Sequence, residues 1–158
     1  MATAAAEPKG LSSQYVTFLL GNETYGISIL KLNEIIAYQE CTAIPHVPAF
    51  SKGVLNLRGV VVPVVDLRER FDMGKKPYDQ FTVIMILEVS GRIMGLIVDA
   101  VSDVVTLAKE AVKPRPNFSA GIGVNFIHGM GVKDDKFIIL LDVDKLLSDD
   151  ELDVVDGV

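Results

Sequence analysis

The 158-residue sequence contains one cysteine, two histidines and no tryptophan. Because Cys41 is alone, neither an intramolecular disulfide nor a cysteine-based zinc cluster can form, and we expect a reducing cytoplasm. No stretch reaches the roughly 18 apolar residues that a membrane-spanning helix needs, and residues 1–13 carry no apolar signal segment. The sequence therefore predicts a cytoplasmic protein that reaches a membrane only through a partner, without inserting into it.

Positive charge is also scarce. The 15 Lys and Arg are outnumbered by 21 Asp and Glu, which gives a net charge of −6, and they form no basic stripe. Because nucleic-acid binding depends on clustered Lys and Arg, we do not expect a nucleic-acid partner.

Side chains that perform catalysis are few and badly spaced. His46 and His128 lack a metal-ligand spacing such as His-x-x-x-His, and Cys41 is more typical of a small core residue than of a nucleophile. We expect no catalytic residues, no metal and no cofactor. The alternative is a small-molecule-binding regulatory barrel, or an enzyme with an unrecognised site, and it would require a polar pocket that holds His46, Cys41 and His128 together.

Glycine and aspartate motifs give no stronger signal. The glycine pairs in residues 121–123 and 129–131 lack the Lys-Ser/Thr of a phosphate-binding loop and are interpreted as flexible turn glycines. The pair Asp134-Asp135 lacks the alternating acids of an EF-hand, so a turn between strands is predicted there.

What the chain does contain is aliphatic β-forming sequence, with 49% hydrophobic but only 7% aromatic residues. The pattern predicts a final strand and three hairpins, over residues 137–141, 15–29, 53–66 and 81–98. Residues 30–36 have the spacing of a helical turn. Pro63 predicts an edge or a bulge within its strand, and Asp66 is expected to cap a short helix that runs through Phe71.

An internal repeat organises these elements. A shift of about 69 residues aligns residues 25–36 with 94–105, and the later segment 61–71 matches 137–147. At shifts that differ by about one residue from the first, residues 48–51 match 116–119, and 57–59 match 127–129. Halves of about 65 to 70 residues suit small barrels, because closure removes exposed sheet edges. We predict a body over residues 14–147 with two barrel lobes joined near 72–80, a flexible tail over 1–13 and an acidic tail over 148–158.

Two charged residues lie in otherwise apolar segments. Glu34 occurs in LKLNEII and Arg58 in LNLRGVVVP, where a solvated barrel surface would carry more polar residues. An embedded charge marks either a structural ion pair or a recognition site, and the sequence does not decide between them.

These segments resemble the CheW family of chemotaxis coupling proteins. The similarity covers about residues 14–147 and is carried by segments 25–27, 29–35, 53–67 (GVLNLRGVVVPVVDL), 98–104 and 140–147. It implies a mainly β fold of two packed SH3-like five-stranded barrels with short helices. It also implies a non-enzymatic adaptor that links the regulatory domain of the CheA histidine kinase to the cytoplasmic tip of methyl-accepting chemoreceptors in membrane arrays.

The resemblance also assigns roles by position. Glu34, Ile35, Arg58 and Val104 would bind the receptor in the groove between barrels, and Val16, Ile29 and Leu32 would bind the kinase. His128 aligns with Arg58 and suggests that the second half does not repeat the receptor contact. Because only short tails flank the similarity, we expect a stand-alone adaptor rather than a CheV-like or CheA-like fusion.

Overall fold

The computed structural model describes residues 12–45, 51–71, 73–74, 76–89, 91–113 and 127–145. These contain one short helix, α1 (Leu67–Arg70), and three 3₁₀ turns, Ile29–Lys31, Lys109–Ala111 and Val143–Lys145. The strands are β1 (Ser12–Leu20), β2 (Glu23–Ser28), β3 (Leu32–Ala37), β4 (Ser51–Leu57), β5 (Val60–Asp66), β6 (Val83–Val89), β7 (Arg92–Val98), β8 (Ala100–Ala108), β9 (Val112–Lys113), β10 (Ile127–Lys133) and β11 (Lys136–Leu141). The three predicted hairpins and the predicted final strand are confirmed.

The strands form two sheets. The first has the order β8-β1-β2-β11-β10-β9 and the second the order β3-β6-β7-β5-β4. The fold is mainly β with two packed SH3-like barrels, as predicted, and we call them the first and the second barrel. The first contains one strand beyond the expected five, the two-residue β9, which pairs with β10.

The internal repeat is visible in the topology. If β6–β7 is the counterpart of β1–β2, β3 of β8, and β4–β5 of β10–β11, the two sheets have the same strand order. Each also contains one parallel pair, between β2 and β11 in the first barrel and between β7 and β5 in the second. The N-terminal hairpin of each half therefore completes the barrel built by the rest of the other half.

This exchange determines where the chain passes between barrels. The second barrel is one continuous segment, residues 32–98, and the first is formed by the segments before and after it. The passages lie at the turn Ile29–Lys31 and at Asp99. The segment 72–80, where the sequence suggested a junction, lies between α1 and β6 within the continuous segment of the second barrel.

Buried side chains form three clusters. One cluster, which includes Val62 and Ile84, fills the second barrel. Another, which includes Leu107 and Leu140, fills the first. The largest lies between the barrels and combines Val16, Phe18, Leu20, Ile27 and Leu141 of the first with Val65, Met85, Leu87, Val89, Met94, Leu96 and Val98 of the second. Burial of each such aliphatic side chain stabilises the fold by about 1.5–3 kcal/mol, so apolar packing holds the barrels together.

The helical prediction for residues 30–36 is wrong. Only Ile29–Lys31 forms a 3₁₀ turn, and the remainder is strand β3, which pairs with β6. Half-buried and exposed residues alternate along β3, as expected for a strand at a sheet edge. Pairing with a strand about 50 residues away overrides the local helical spacing.

The interpretation of the glycines at 129–131 is also wrong. Both lie buried in β10. A Cβ on Gly129 would lie 2.7 Å from the Lys113 carbonyl oxygen, and one on Gly131 would lie 2.6 Å from Cδ1 of Leu107. These positions need glycine because neighbouring strands approach closely. The predicted turn at Asp134-Asp135 is confirmed.

The alignment of His128 with Arg58 needs correction. Arg58-Gly59 forms the turn between β4 and β5, and its topological counterpart is Asp134-Asp135 between β10 and β11. His128 lies at the start of β10, just before the Gly129 that corresponds to Gly53. The match of residues 57–59 with 127–129 spans only three residues, which is too few to fix the alignment of the two halves.

Pro63 and Asp66 follow simple local rules. Pro63 lies in β5, which is an interior strand rather than an edge, but the parallel pairing with β7 begins only at Val64. The missing N–H of Pro63 is therefore not needed there. Asp66 caps α1 as predicted, because its Oδ1 accepts a hydrogen bond of 3.3 Å from the Glu69 amide.

Several predictions fall outside the described residues. They concern the tail 1–11, His46, the repeated bends at 48–50 and 116–119, the glycines at 121–123, and residues 146–158. Among the described residues, none of the helices has the length and hydropathy needed to cross a membrane.

Candidate protein-interaction site

Glu34 and Arg58, far apart in sequence, form an ion pair on the second barrel. Glu34 is on β3 and Arg58 is at the tip of the β4–β5 hairpin, and NH2 of Arg58 donates a hydrogen bond to Oε2 of Glu34. β3 and β4 are opposite edges of the open strand order, so barrel curvature brings the two side chains together.

The hairpin tip holds Arg58 in an unusual backbone conformation. Arg58 and Gly59 have φ of 52° and 87°, as in a type I′ turn, and Oδ1 of Asn56 accepts a 2.8 Å hydrogen bond from the Gly59 amide. An arginine with positive φ is uncommon, and here this conformation lies at the tip of the hairpin, where the side chain is exposed.

The ion pair is accessible to solvent. The Arg58 side chain is 69% exposed and that of Glu34 is 33% exposed. An ion pair at this exposure contributes about 0–1 kcal/mol to stability, so fold stability does not explain two embedded charges. Their exposure favours the recognition alternative, with the guanidinium able to bind a carboxylate or carbonyl of a partner.

Exposed apolar residues lie next to both members of the pair in sequence. Ile35 follows Glu34 on β3 and is 38% exposed, and Val60 and Val61, just after the Arg58 turn, are 54% and 64% exposed. Val60 and Val61 were not singled out from the sequence. The signal was the unbroken run Val60–Val62, because alternation should give a solvent-facing strand some polar positions.

Val104 belongs to the first barrel and lies beside the apolar cluster between the two barrels. It lies on the edge strand β8 opposite Val16, and Ile35 lies on the edge strand β3 opposite Met85. Directly opposed residues share one face of a sheet, and Val16 and Met85 both belong to the cluster between barrels. Ile35 and the 47% exposed Val104 therefore extend that apolar seam toward solvent from its two sides.

The residues expected to contact the kinase differ in accessibility. Ile29 and Leu32 are partly exposed at the first passage between barrels. Val16 is 1% exposed within the inter-barrel core and has no surface to offer a partner here. Leu30, which was not predicted, is 90% exposed between Ile29 and Leu32 and gives this passage a protruding apolar side chain.

Of the three residues of the alternative pocket, the two that the structure describes lie in different barrels. Cys41 packs against the core of the second barrel, whereas His128 is on β10 of the first and His46 lies outside the described residues. Burial, with a smaller effect of Glu40, raises the pKa of the Cys41 thiol to about 11, which disfavours the nucleophilic thiolate. In the part of the chain that the structure describes, no group of three His, Cys, Asp or Glu side chains could hold a metal ion.

Known proteins are similar to this chain both in sequence and in fold. The family model for the CheW-like domain matches residues 14–151. The chemotaxis protein CheW of Klebsiella aerogenes is 43% identical over 148 residues, which cover 94% of this chain and 89% of that protein. Its counterpart in Treponema pallidum is 35% identical over 143 residues, covering 88% and 84% of the respective chains.

A solved structure agrees with these matches. The crystal structure of the scaffolding protein TtCheW from Thermoanaerobacter tengcongensis has a TM-score of 0.81 and 34% sequence identity, and the match covers 88% of this chain and 94% of that one. The chain therefore belongs to the CheW family of chemotaxis proteins, which are scaffolds and adaptors rather than enzymes.

Proposed function

We propose that this protein couples transmembrane chemoreceptors to the CheA histidine kinase. It works in the cytoplasm and is recruited to receptor arrays through its partners. The observation that carries the proposal is the exposed Glu34–Arg58 pair, which lies at a hairpin tip and has exposed apolar residues next to it in sequence. Exposed apolar side chains together with charged groups at their edge are the composition of a protein-recognition site.

The receptor contact is assigned to Glu34, Ile35, Arg58 and Val104. The ion pair supplies directional polar contacts, and the exposed valine and isoleucine supply apolar area. Val60 and Val61 extend this surface beside Arg58. An amphipathic helix that carries carboxylates and apolar side chains would complement such a surface.

The kinase contact is assigned to the first passage between barrels. Ile29, Leu30 and Leu32 offer an apolar surface there, on a different element from the Arg58 turn. β3 carries Leu32 of this surface and Glu34 and Ile35 of the receptor surface, so one chain presents the two contacts side by side. A receptor's conformational bias then reaches the kinase through packed interfaces, and no bond is made or broken.

The receptor contact can be tested by charge reversal at Arg58. In Arg58→Glu two carboxylates face each other, and we expect capture of a receptor cytoplasmic fragment to fall about tenfold or more, equivalent to about 1.4 kcal/mol. Receptor-dependent control of the kinase should be lost, while kinase capture and the denaturation midpoint stay unchanged. Normal receptor capture and kinase control in this variant would reject the assignment.

A double reversal separates recognition from structure. Glu34→Arg with Arg58→Glu restores an ion pair of opposite polarity, so full recovery of receptor capture would mean that the pair acts only structurally. We expect capture to remain weak. Lys136→Glu, at an exposed position on the first barrel, changes the net charge as much as the single variant Arg58→Glu does, and it should bind receptor normally.

A further inference from the structure

The second barrel is an insertion that is attached to the first barrel at two points. The chain enters it through the turn Ile29–Lys31 and leaves it at Asp99, which directly precedes β8. The apolar core between the barrels is not directional, so polar contacts at the two passages are the groups suited to fix one orientation.

At the exit point, one carboxylate joins both barrels. Oδ2 of Asp99 accepts hydrogen bonds of 2.8 Å from the Gly21 amide and 2.8 Å from NH1 of Arg68. Gly21 is in the β1–β2 turn of the first barrel, and Arg68 is in α1 of the second. The Asp99 amide also donates to the Leu19 carbonyl at 3.1 Å.

This contact is enclosed. The Asp99 side chain is 12% exposed and the Arg68 side chain 18% exposed, so the pair is only weakly screened by water and salt. A Cβ on Gly21 would lie 3.3 Å from Cε of Met73 and 3.8 Å from NH1 of Arg68. The turn of the first barrel therefore packs closely against residues that follow β5 of the second.

At the entry point a second, weaker ion pair joins the two barrels, and here the residue at the passage is the cation. Nζ of Lys31 lies 2.8 Å from Oδ2 of Asp144, which belongs to the 3₁₀ turn after β11, the counterpart of α1. Its side chains are 41% and 37% exposed, so solvent weakens this pair. Of the two passages, the one at Asp99 constrains the barrels more strongly.

We propose that Asp99 is a positioning residue that fixes the orientation of the two barrels and thereby sets the geometry of coupling. The inference rests on the proposed function. Asp99 sets the start of β8, which carries Val104, and through Arg68 it holds the barrel that carries Glu34 and Arg58. Loss of this carboxylate loosens the two sides of the receptor site relative to each other.

The test combines a distance measurement with a coupling assay. Spin labels are placed at Lys133→Cys in the first barrel and Glu88→Cys in the second, both exposed strand positions, in a Cys41→Ser background. In Asp99→Ala we expect a broader distance distribution and a fall of about fivefold or more in receptor-dependent kinase stimulation. Asp99→Asn, which keeps an acceptor for the Gly21 amide, should give an intermediate result.

Two further variants make the test specific. Arg68→Gln removes the charged hydrogen-bond donor of the second barrel and leaves only Nζ of Lys76, at 3.9 Å, near the Asp99 carboxylate. It should broaden the distances and reduce the coupling in the same direction as Asp99→Ala, and it keeps the test available if Asp99→Ala does not fold. Asp144→Asn, which removes the charge that faces Lys31 in the exposed pair, should leave the distances and the coupling unchanged. Separate capture of receptor and of kinase should persist in every folded variant, because the contact residues remain.

Two results would overturn the inference. Coupling that persists despite a broadened distribution would show that barrel orientation does not matter. Coupling lost with an unchanged distribution would show that Asp99 acts by direct contact with a partner. If the parent protein couples no receptor to the kinase, the proposed function fails, and the distance measurement still decides whether Asp99 fixes the barrels.

Discussion

The Tyr78 hydroxyl donates a 2.6 Å hydrogen bond to Oδ2 of Asp66, the buried carboxylate that caps α1. Tyr78→Phe leaves this carboxylate with one donor fewer, and we expect a loss of about 1.5–3 kcal/mol of unfolding free energy. Urea denaturation measures it. Tyr38→Phe, in the ring whose centroid lies 4.3 Å from that of Tyr78, keeps the Tyr78–Asp66 bond and should cost less. An equal cost would show that the Tyr78–Asp66 bond contributes no more to stability than the Tyr38 hydroxyl does.

The same hydroxyl makes stability depend on pH in alkaline solution. Burial, and secondly the hydrogen bond to Asp66, raise the pKa of Tyr78 above the usual 10.0, so the folded protein keeps a proton that the unfolded chain releases. This contribution is fully present below pH 10.0 and is lost as the pH rises. Between about pH 9 and about pH 11, stability should fall more steeply in the parent protein than in Tyr78→Phe. Parallel slopes would contradict this.

Two glycines at corresponding places in the barrels should tolerate no side chain. A Cβ on Gly53, where φ is 117°, would lie 1.9 Å from the Thr42 carbonyl oxygen, and one on Gly129 would lie 2.7 Å from that of Lys113. We expect Gly53→Ala to cost about 3 kcal/mol or more and Gly129→Ala somewhat less, because rigid backbone must move. Gly91→Ala, with positive φ but open space, should cost only about 1–2 kcal/mol. A Gly53→Ala cost no larger than that of Gly91→Ala would refute the close approach.

The single thiol should be slow to react. Burial raises the pKa of Cys41 from 9.0 to about 11, so near pH 8 the folded protein holds about a hundredfold less thiolate than the unfolded chain. Iodoacetamide labelling followed by mass spectrometry should be correspondingly slower in native buffer than in urea. Equal rates in the two conditions would mean that the thiol is not desolvated.

The surface assigned to the kinase can be separated from the core by two aspartates. Val16→Asp buries a charge between the barrels and should unfold the protein, whereas Ile29→Asp, at a partly exposed position, should leave the fold intact and weaken kinase capture. Circular dichroism and capture of the kinase measure the two outcomes. A folded Ile29→Asp protein with full kinase capture would remove Ile29 from the contact.

Features that depend on neighbouring residues were predictable. Each hairpin is encoded by two apolar segments around a turn, and the cap at Asp66 needs only an acceptor three residues before an amide. The repeat was visible because both halves keep the same order of apolar positions. The embedded charges Glu34 and Arg58 were recognised as unusual, but the sequence could not show that they contact each other.

Features that depend on distant residues were not predictable. β3 has helical spacing in isolation and becomes a strand because β6 pairs with it. Position 129 has no room for a side chain because the Lys113 carbonyl lies beside it. Val16 is a core residue because the second barrel covers it. In each case the deciding contact comes from another element.

The sequence by itself determined a repeated, mainly β chain with few groups suited to catalysis, because hydrophobic alternation, turn residues and residue types are local properties. Only the tertiary structure decided that the hairpins are exchanged between the halves, that the second barrel is a continuous insertion, and that Asp99 joins it to the first. Those outcomes depend on which strand edges and faces meet, and that choice is made by burial and pairing across the whole chain.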